Sequence, residues 1–113
     1  MHEFSVTRSI LDLCQQEARK NGMSKVRRVK ITLGKFTGFS AQAIRYYFKQ
    51  LEKGTACAGA RLIFDEVPIR IKCPACDHKG TIKEPVFVCP VCGSNRLDIT
   101  SGREFYVESI EGE

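Results

Sequence analysis

Four of the six cysteines in this 113-residue chain fall into two close pairs. In "CPACDHKGTIKEPVFVCPVCGS" a Cys-x2-Cys turn at Cys73 and Cys76 is followed, twelve residues later, by a second at Cys89 and Cys92. Two such turns facing each other supply four thiolates at tetrahedral angles, with turn amides pointing at the sulfurs. Zn(II) suits this set because it is redox-inert, accepts sulfur and brings no geometric preference of its own. The spacing matches zinc ribbons, while a lone iron centre or a redox dithiol would use the same residues. Four thiolates close the coordination shell, so the expected metal is structural and has no place for a reactive water. Asp77 and Gly93, which follow the second cysteine of each pair, are residue types that accept a left-handed backbone. His78 reads as an exposed turn residue, the sharper alternative being a group that supports or replaces a sulfur ligand.

A second candidate is the start of the chain, "MHEFS". The α-amine of Met1, the next amide nitrogen and the His2 imidazole are adjacent donors that close a five- and a six-membered ring around one metal. The Glu3 amide offers a fourth position. Deprotonated amides call for a square-planar ion, Ni(II) or Cu(II). Taken alone, His2 defaults to an ordinary polar residue ahead of a helix.

Several elements must position these groups. Residues 5–21 carry Val6, Ile10, Leu13, Cys14 and Ala18 at helical spacing, and Gly22 is a plausible stop. Cys14 therefore reads as core, and Cys57 stands by itself. Residues 25–33 alternate as a strand with one wet side, which gives the cluster Lys25, Arg27, Arg28 and Lys30 a solvated role. The stretch "GKFTGF" reads as a loop, after which Ser40 caps a second helix over 41–52 with Ile44, Tyr47, Phe48 and Leu51 inward. Residues 60–71 are expected as one strand, with Pro68 at an edge or exit, and 103–110 as another. The expected fold class is α+β: two helices on a three-stranded sheet, with an inserted four-cysteine zinc-ribbon module. Residues 1–71 plus 98–113 form the α/β domain and residues 72–97 the ribbon.

Composition narrows the function. The net charge of +5 is mild, and the ribbon's charges are mixed in sign, so a phosphate-tracking surface is not indicated. No apolar run approaches a membrane span and no signal peptide is visible, so the default location is cytoplasmic. No Ser/His/Asp set, phosphate loop or paired-carboxylate cleft is recognisable, which argues against an enzyme. Exposed sheet edges would permit strand exchange and a homodimer.

The segments "MHEFS", "ITLGKFTGFS", "GARLIFDEVPIRIKCPAC" and "GREFYVESI" together resemble the HypA/HybF hydrogenase-maturation nickel metallochaperones over nearly the whole chain. That resemblance implies a Ni(II) site at Met1, His2 and Glu3, with His2 as the critical side chain. It implies structural Zn(II) at Cys73, Cys76, Cys89 and Cys92. It also implies delivery of nickel to the [NiFe]-hydrogenase large subunit with a HypB-type GTPase, and in some organisms to urease maturation proteins. The alternative from the residues alone is a zinc-ribbon module that binds nucleic acid or protein.

Overall fold

The computed structural model describes residues 3–83 and 86–113. The order is α1 (Glu3–Lys20), β1 (Val26–Gly34), a 3-10 turn (Lys35–Thr37), α2 (Ala41–Leu51), β2 (Arg61–Val67), β3 (Ile69–Lys72), β4 (Lys79–Ile82), β5 (Asp98–Ser101) and β6 (Phe105–Gly112). The strands form two three-stranded sheets, ordered β2-β1-β6 and β4-β3-β5. Two helices, a three-stranded sheet and a four-cysteine cluster make the α+β class expected from the sequence. Among the described residues no helix is long and apolar enough to cross a membrane.

The first compact unit holds the N-terminal segment to Thr32, Phe39–Asp65 and Tyr106–Glu113. In α1 the buried face is Val6, Thr7, Ile10, Leu11, Cys14 and Ala18. Leu13, expected on that stripe, is instead 42% exposed. It lies about 100° around the helix from Cys14, at the margin of the apolar face, and Leu11 takes the inner place. The helix ends where Gly22 turns left-handed (φ 67°). There the Gly22 amide bonds Arg19 O and the Met23 amide bonds Ala18 O, the paired bonds of a Schellman stop.

At α2 the Ser40 hydroxyl accepts the Ala43 amide at 3.2 Å, the N-cap bond its sequence position predicts. Ile44 and Phe48 are buried. The Phe4 and Tyr47 rings meet edge to face at 5.4 Å, which ties the start of α1 to α2. Val26, Val29, Ile31 and Leu33 bury β1. Reciprocal bonds between Lys25 and Glu113, and the Gly34 amide on Glu104 O, run β6 antiparallel to it.

The expected single strand over 60–71 is two strands that belong to different sheets. Pro68 has no N–H to give a ladder, and the chain leaves the first sheet there and enters the second at Ile69. The second compact unit comprises Leu33–Gly38 and Glu66–Phe105. In its sheet, β3 pairs antiparallel with both β4 and β5.

Candidate metal centre

Each cysteine pair sits in the same kind of turn. At the first, the Cys73 amide donates to His78 O and the Asp77 amide to Cys73 O; at the second, the Cys89 amide donates to Ser94 O and the Gly93 amide to Cys89 O. The two turns share one bonding pattern. Asp77 (φ 62°) and Gly93 (φ 76°) take the left-handed position in each, as their residue types predict. Asp77 is the one non-glycine residue among those described with positive φ, so the strained position coincides with the site.

The turns bring the four sulfurs together within 4.8 Å of one another. Cys73 and Cys92 are 3.6 Å apart at Sγ, and Cys76 and Cys89 are 3.7 Å apart. A tetrahedron with Zn–S bonds of ~2.3 Å has sulfurs ~3.8 Å apart. Disulfide sulfurs would be ~2.05 Å apart, so the set is dimensioned for one ion and not for bridges. Cys73 and Cys89 are buried while Cys76 and Cys92 are exposed.

The turn amides aim at the sulfurs. The Val91 amide points at Cys89 Sγ at 3.4 Å. The Cys92 amide, first, and then that of Val91 pull the Cys89 thiol down to about 6. At Cys76 the His78 amide also pulls down, but desolvation and the three neighbouring sulfurs raise the thiol further, to about 12. Four clustered thiols therefore resist ionising together without a cation, and a divalent ion that displaces the protons resolves the conflict. The donor set fits structural zinc.

His78 is half-buried, and its imidazole occupies the space beside Gly80, where an added Cβ would lie 2.9 Å from Nε2. Its backbone serves the first turn through both its amide and its carbonyl. Residues 34–38 of the loop "GKFTGF" also belong to this unit. Phe36 bonds Gly102 O through its amide, stacks at 5.4 Å on Phe87 between the cysteine pairs, and lies under the Arg103 guanidinium. Reading the sequence missed this role; the hint available was the pair of glycines that flank the loop.

Cys14 and Cys57 do not join the cluster. Both are fully buried in the first unit. A hydrogen bond to Cys57 and burial push the Cys14 thiol well up, so it stays protonated.

Met1 and His2 lie outside the described residues. Glu3 opens α1, and its carboxylate accepts the Ser40 amide at 3.1 Å. That bond anchors the first turn of α1 to the start of α2 and occupies the Glu3 side chain.

Three cations of the basic cluster, those on β1, are paired with carboxylates of the C-terminal segment. Arg27 meets Glu113 at 2.6 Å, Arg28 meets Glu111 at 3.1 Å, and Lys30 meets Glu108 at 3.8 Å. These cations are compensated in place, as a solvated strand face requires, and are not held out for phosphates.

Comparison with known proteins decides the family. Residues 1–112 match the sequence model described as HypA, hydrogenase/urease nickel incorporation, metallochaperone. The chain belongs to the HypA family. The hydrogenase maturation factor HypA of Caldanaerobacter subterraneus subsp. tengcongensis is 39% identical over 114 residues, covering all of both chains. That of Moorella thermoacetica is 34% identical over 113 residues, again covering all of both. The solution structure of the Ni metallochaperone HypA from Helicobacter pylori superimposes with a TM-score of 0.67 at 29% identity, covering 99% of this chain and 97% of that one. HypA proteins are nickel metallochaperones of hydrogenase maturation, and this HypA chain carries a four-cysteine cluster that fits zinc.

Proposed function

We propose that this HypA-family chain carries Ni(II) at Met1, His2 and Glu3 and delivers it to the large subunit of a [NiFe]-hydrogenase, together with a HypB-type GTPase. The α-amine of Met1, the His2 amide and imidazole, and the Glu3 amide are the donors. Zn(II) on Cys73, Cys76, Cys89 and Cys92 holds the shape of the second unit and takes no part in transfer. The chain acts in the cytoplasm as a carrier and not as an enzyme. The observation that carries this reading is the match of residues 1–112 to a nickel-incorporation family. The Glu3–Ser40 bond supports it, because it ties down the last residue of the proposed chelate through its carboxylate and leaves the Glu3 amide as the donor. A chain-end chelate also suits a carrier, since its donors can be replaced one at a time by an acceptor.

Nickel titration of the untagged protein tests the site. One Ni(II) is expected per chain, with zinc counted separately by elemental analysis. His2→Ala, or a Gly-Ser extension ahead of Met1, should abolish nickel uptake and leave zinc in place. Nickel affinity should fall as pH drops toward and below ~6.5, because amine and imidazole must lose protons to bind. An extended chain that binds nickel as well as the native one rules the chelate out.

A further inference from the structure

The outer face of the β4-β3-β5 sheet gathers cations that form no ion pair among the described residues. Arg70 and Lys72 point outward from β3, where Ile69 and Ile71 point inward. Lys79 and Thr81 are the exposed residues of β4. The register puts Lys79 directly opposite Lys72 and Thr81 opposite Arg70. Like charges facing each other across a strand pair are destabilising. Asp98 of β5 is in register with Lys72, yet the ion pairs formed among the described residues all involve α1 or the β1–β6 ladder. Among the described residues the Arg70 guanidinium reaches the Ser101 hydroxyl, at 3.5 Å, and no carboxylate. Between these side chains lies a shallow concavity of about 530 Å³, lined also by Gly80 and Thr100.

We propose that this face docks an extended acidic segment of a partner protein, with Arg70, Lys72 and Lys79 as its charge anchors. The spacing argues for a peptide chain. Arg70 and Lys72 are alternate residues of one strand, and side chains so related recur every ~6.5–7 Å. An extended segment has the same repeat, so carboxylates two residues apart meet both cations in step. Arg70 offers a planar fork that a carboxylate can engage with two bonds, and the Lys pair offers point charges on flexible stems. Thr81 and Thr100 add hydroxyls that can donate to carboxylates or peptide carbonyls. The cations stop after two strands and do not continue as the stripe a nucleic-acid backbone needs. An anion on this face would also relieve the Lys72–Lys79 opposition.

The test is NMR titration of the zinc-loaded full chain with acetyl-Glu-Ser-Glu-Ser-Glu-Ser-amide. Amide shifts should concentrate at Arg70, Lys72, Lys79, Thr81 and Thr100. The peptide with Gln for Glu should bind roughly tenfold more weakly or not at all, and Arg70→Gln with Lys72→Gln should cause a similar loss. Lys72→Arg and Lys79→Arg should retain binding, which separates charge from fold. No shift at millimolar peptide, or shifts centred on Arg27 and Arg28, would overturn the proposal. So would a thymidine oligonucleotide or inorganic phosphate that saturates the same residues at lower concentration than the peptide. The proposal is independent of the nickel reading, and nickel stoichiometry should be unchanged in every variant.

Discussion

The two three-stranded sheets of this molecule are stabilised in different ways. The β2-β1-β6 sheet has β1 at its centre, with Val26, Val29 and Ile31 buried, and most of it belongs to the unit that contains α1 and α2. Its exposed cations Arg27, Arg28 and Lys30 are paired with Glu113, Glu111 and Glu108. In the β4-β3-β5 sheet every strand is four residues long, and Ile69 and Ile71 are its fully buried apolar side chains. Its wet side sets Lys79 against Lys72. So small a sheet buries too little apolar surface to hold itself, and a metal is the usual supplement. The first unit is thus stabilised by core packing and the second by coordination, and charge is paired within the first sheet, whereas Arg70, Lys72 and Lys79 of the second form no ion pair among the described residues.

Metal removal should separate the two most sharply. Structural zinc contributes on the order of 10 kcal/mol to small metal-dependent modules. Chelation, or Cys73→Ala, should therefore remove amide exchange protection from β3, β4 and β5 while α1, α2 and β1 keep most of theirs. Hydrogen exchange read by mass spectrometry resolves the two sets of peptides. Simultaneous loss of protection in both would mean that the units share one cooperative transition and that the contrast is superficial.

A smaller effect is expected at the glycine contact inside the second unit. A Cβ on Gly34 would lie 2.0 Å from the Gly102 carbonyl oxygen, and Gly102 itself has φ 113°. The obstacle is the Gly102–Arg103 backbone, so no side chain can move aside. Gly34→Ala should cost roughly 3 kcal/mol or more, the range of severe overpacking. Phe36 should detach from Phe87, with the midpoint of thermal unfolding falling by several degrees while zinc content stays near one per chain. A variant of wild-type stability would show that the Leu33–Gly38 segment is not part of what holds the cysteine unit.

What the sequence disclosed follows the range of the interactions involved. The cysteine spacing, the helical stripes, the Ser40 cap and the left-handed turns at Asp77 and Gly93 are local, and each was legible from a few adjacent residues. The split at Pro68 was only half legible. Proline announces a missing donor, but "RLIFDEVPIRIK" is rich in strand-forming residues on both sides of it, so nothing local says that the two halves join different sheets. Phe36 was invisible because its partners Phe87 and Gly102 are distant in sequence. The charge ladder was hidden for the same reason: Arg27 and Glu113 are 86 positions apart. The solvated role expected for the cations of β1 was right, but the carboxylates that complete it could not be named from adjacent residues.

The ladder itself should yield the smallest effect. The Arg27 guanidinium, by hydrogen bond first and by charge second, holds the Glu113 carboxyl below its ordinary value of 4.5. A carboxyl depressed in the folded state contributes stability that is present above its unfolded pKa and is lost as pH falls through the folded one. The pairing should therefore be intact at neutral pH and disappear below about 4.5. Both side chains are more than half exposed, at 56% and 69%, so the gain is minor and salt should weaken it. Carbon-detected titration of the Glu113 carboxyl should give a midpoint below that of the same residue in Arg27→Gln. The midpoint should not respond to zinc chelation, because the ladder lies entirely within the first unit. A midpoint that moves when zinc is removed would show that the coordinated sheet and the core-packed sheet communicate after all.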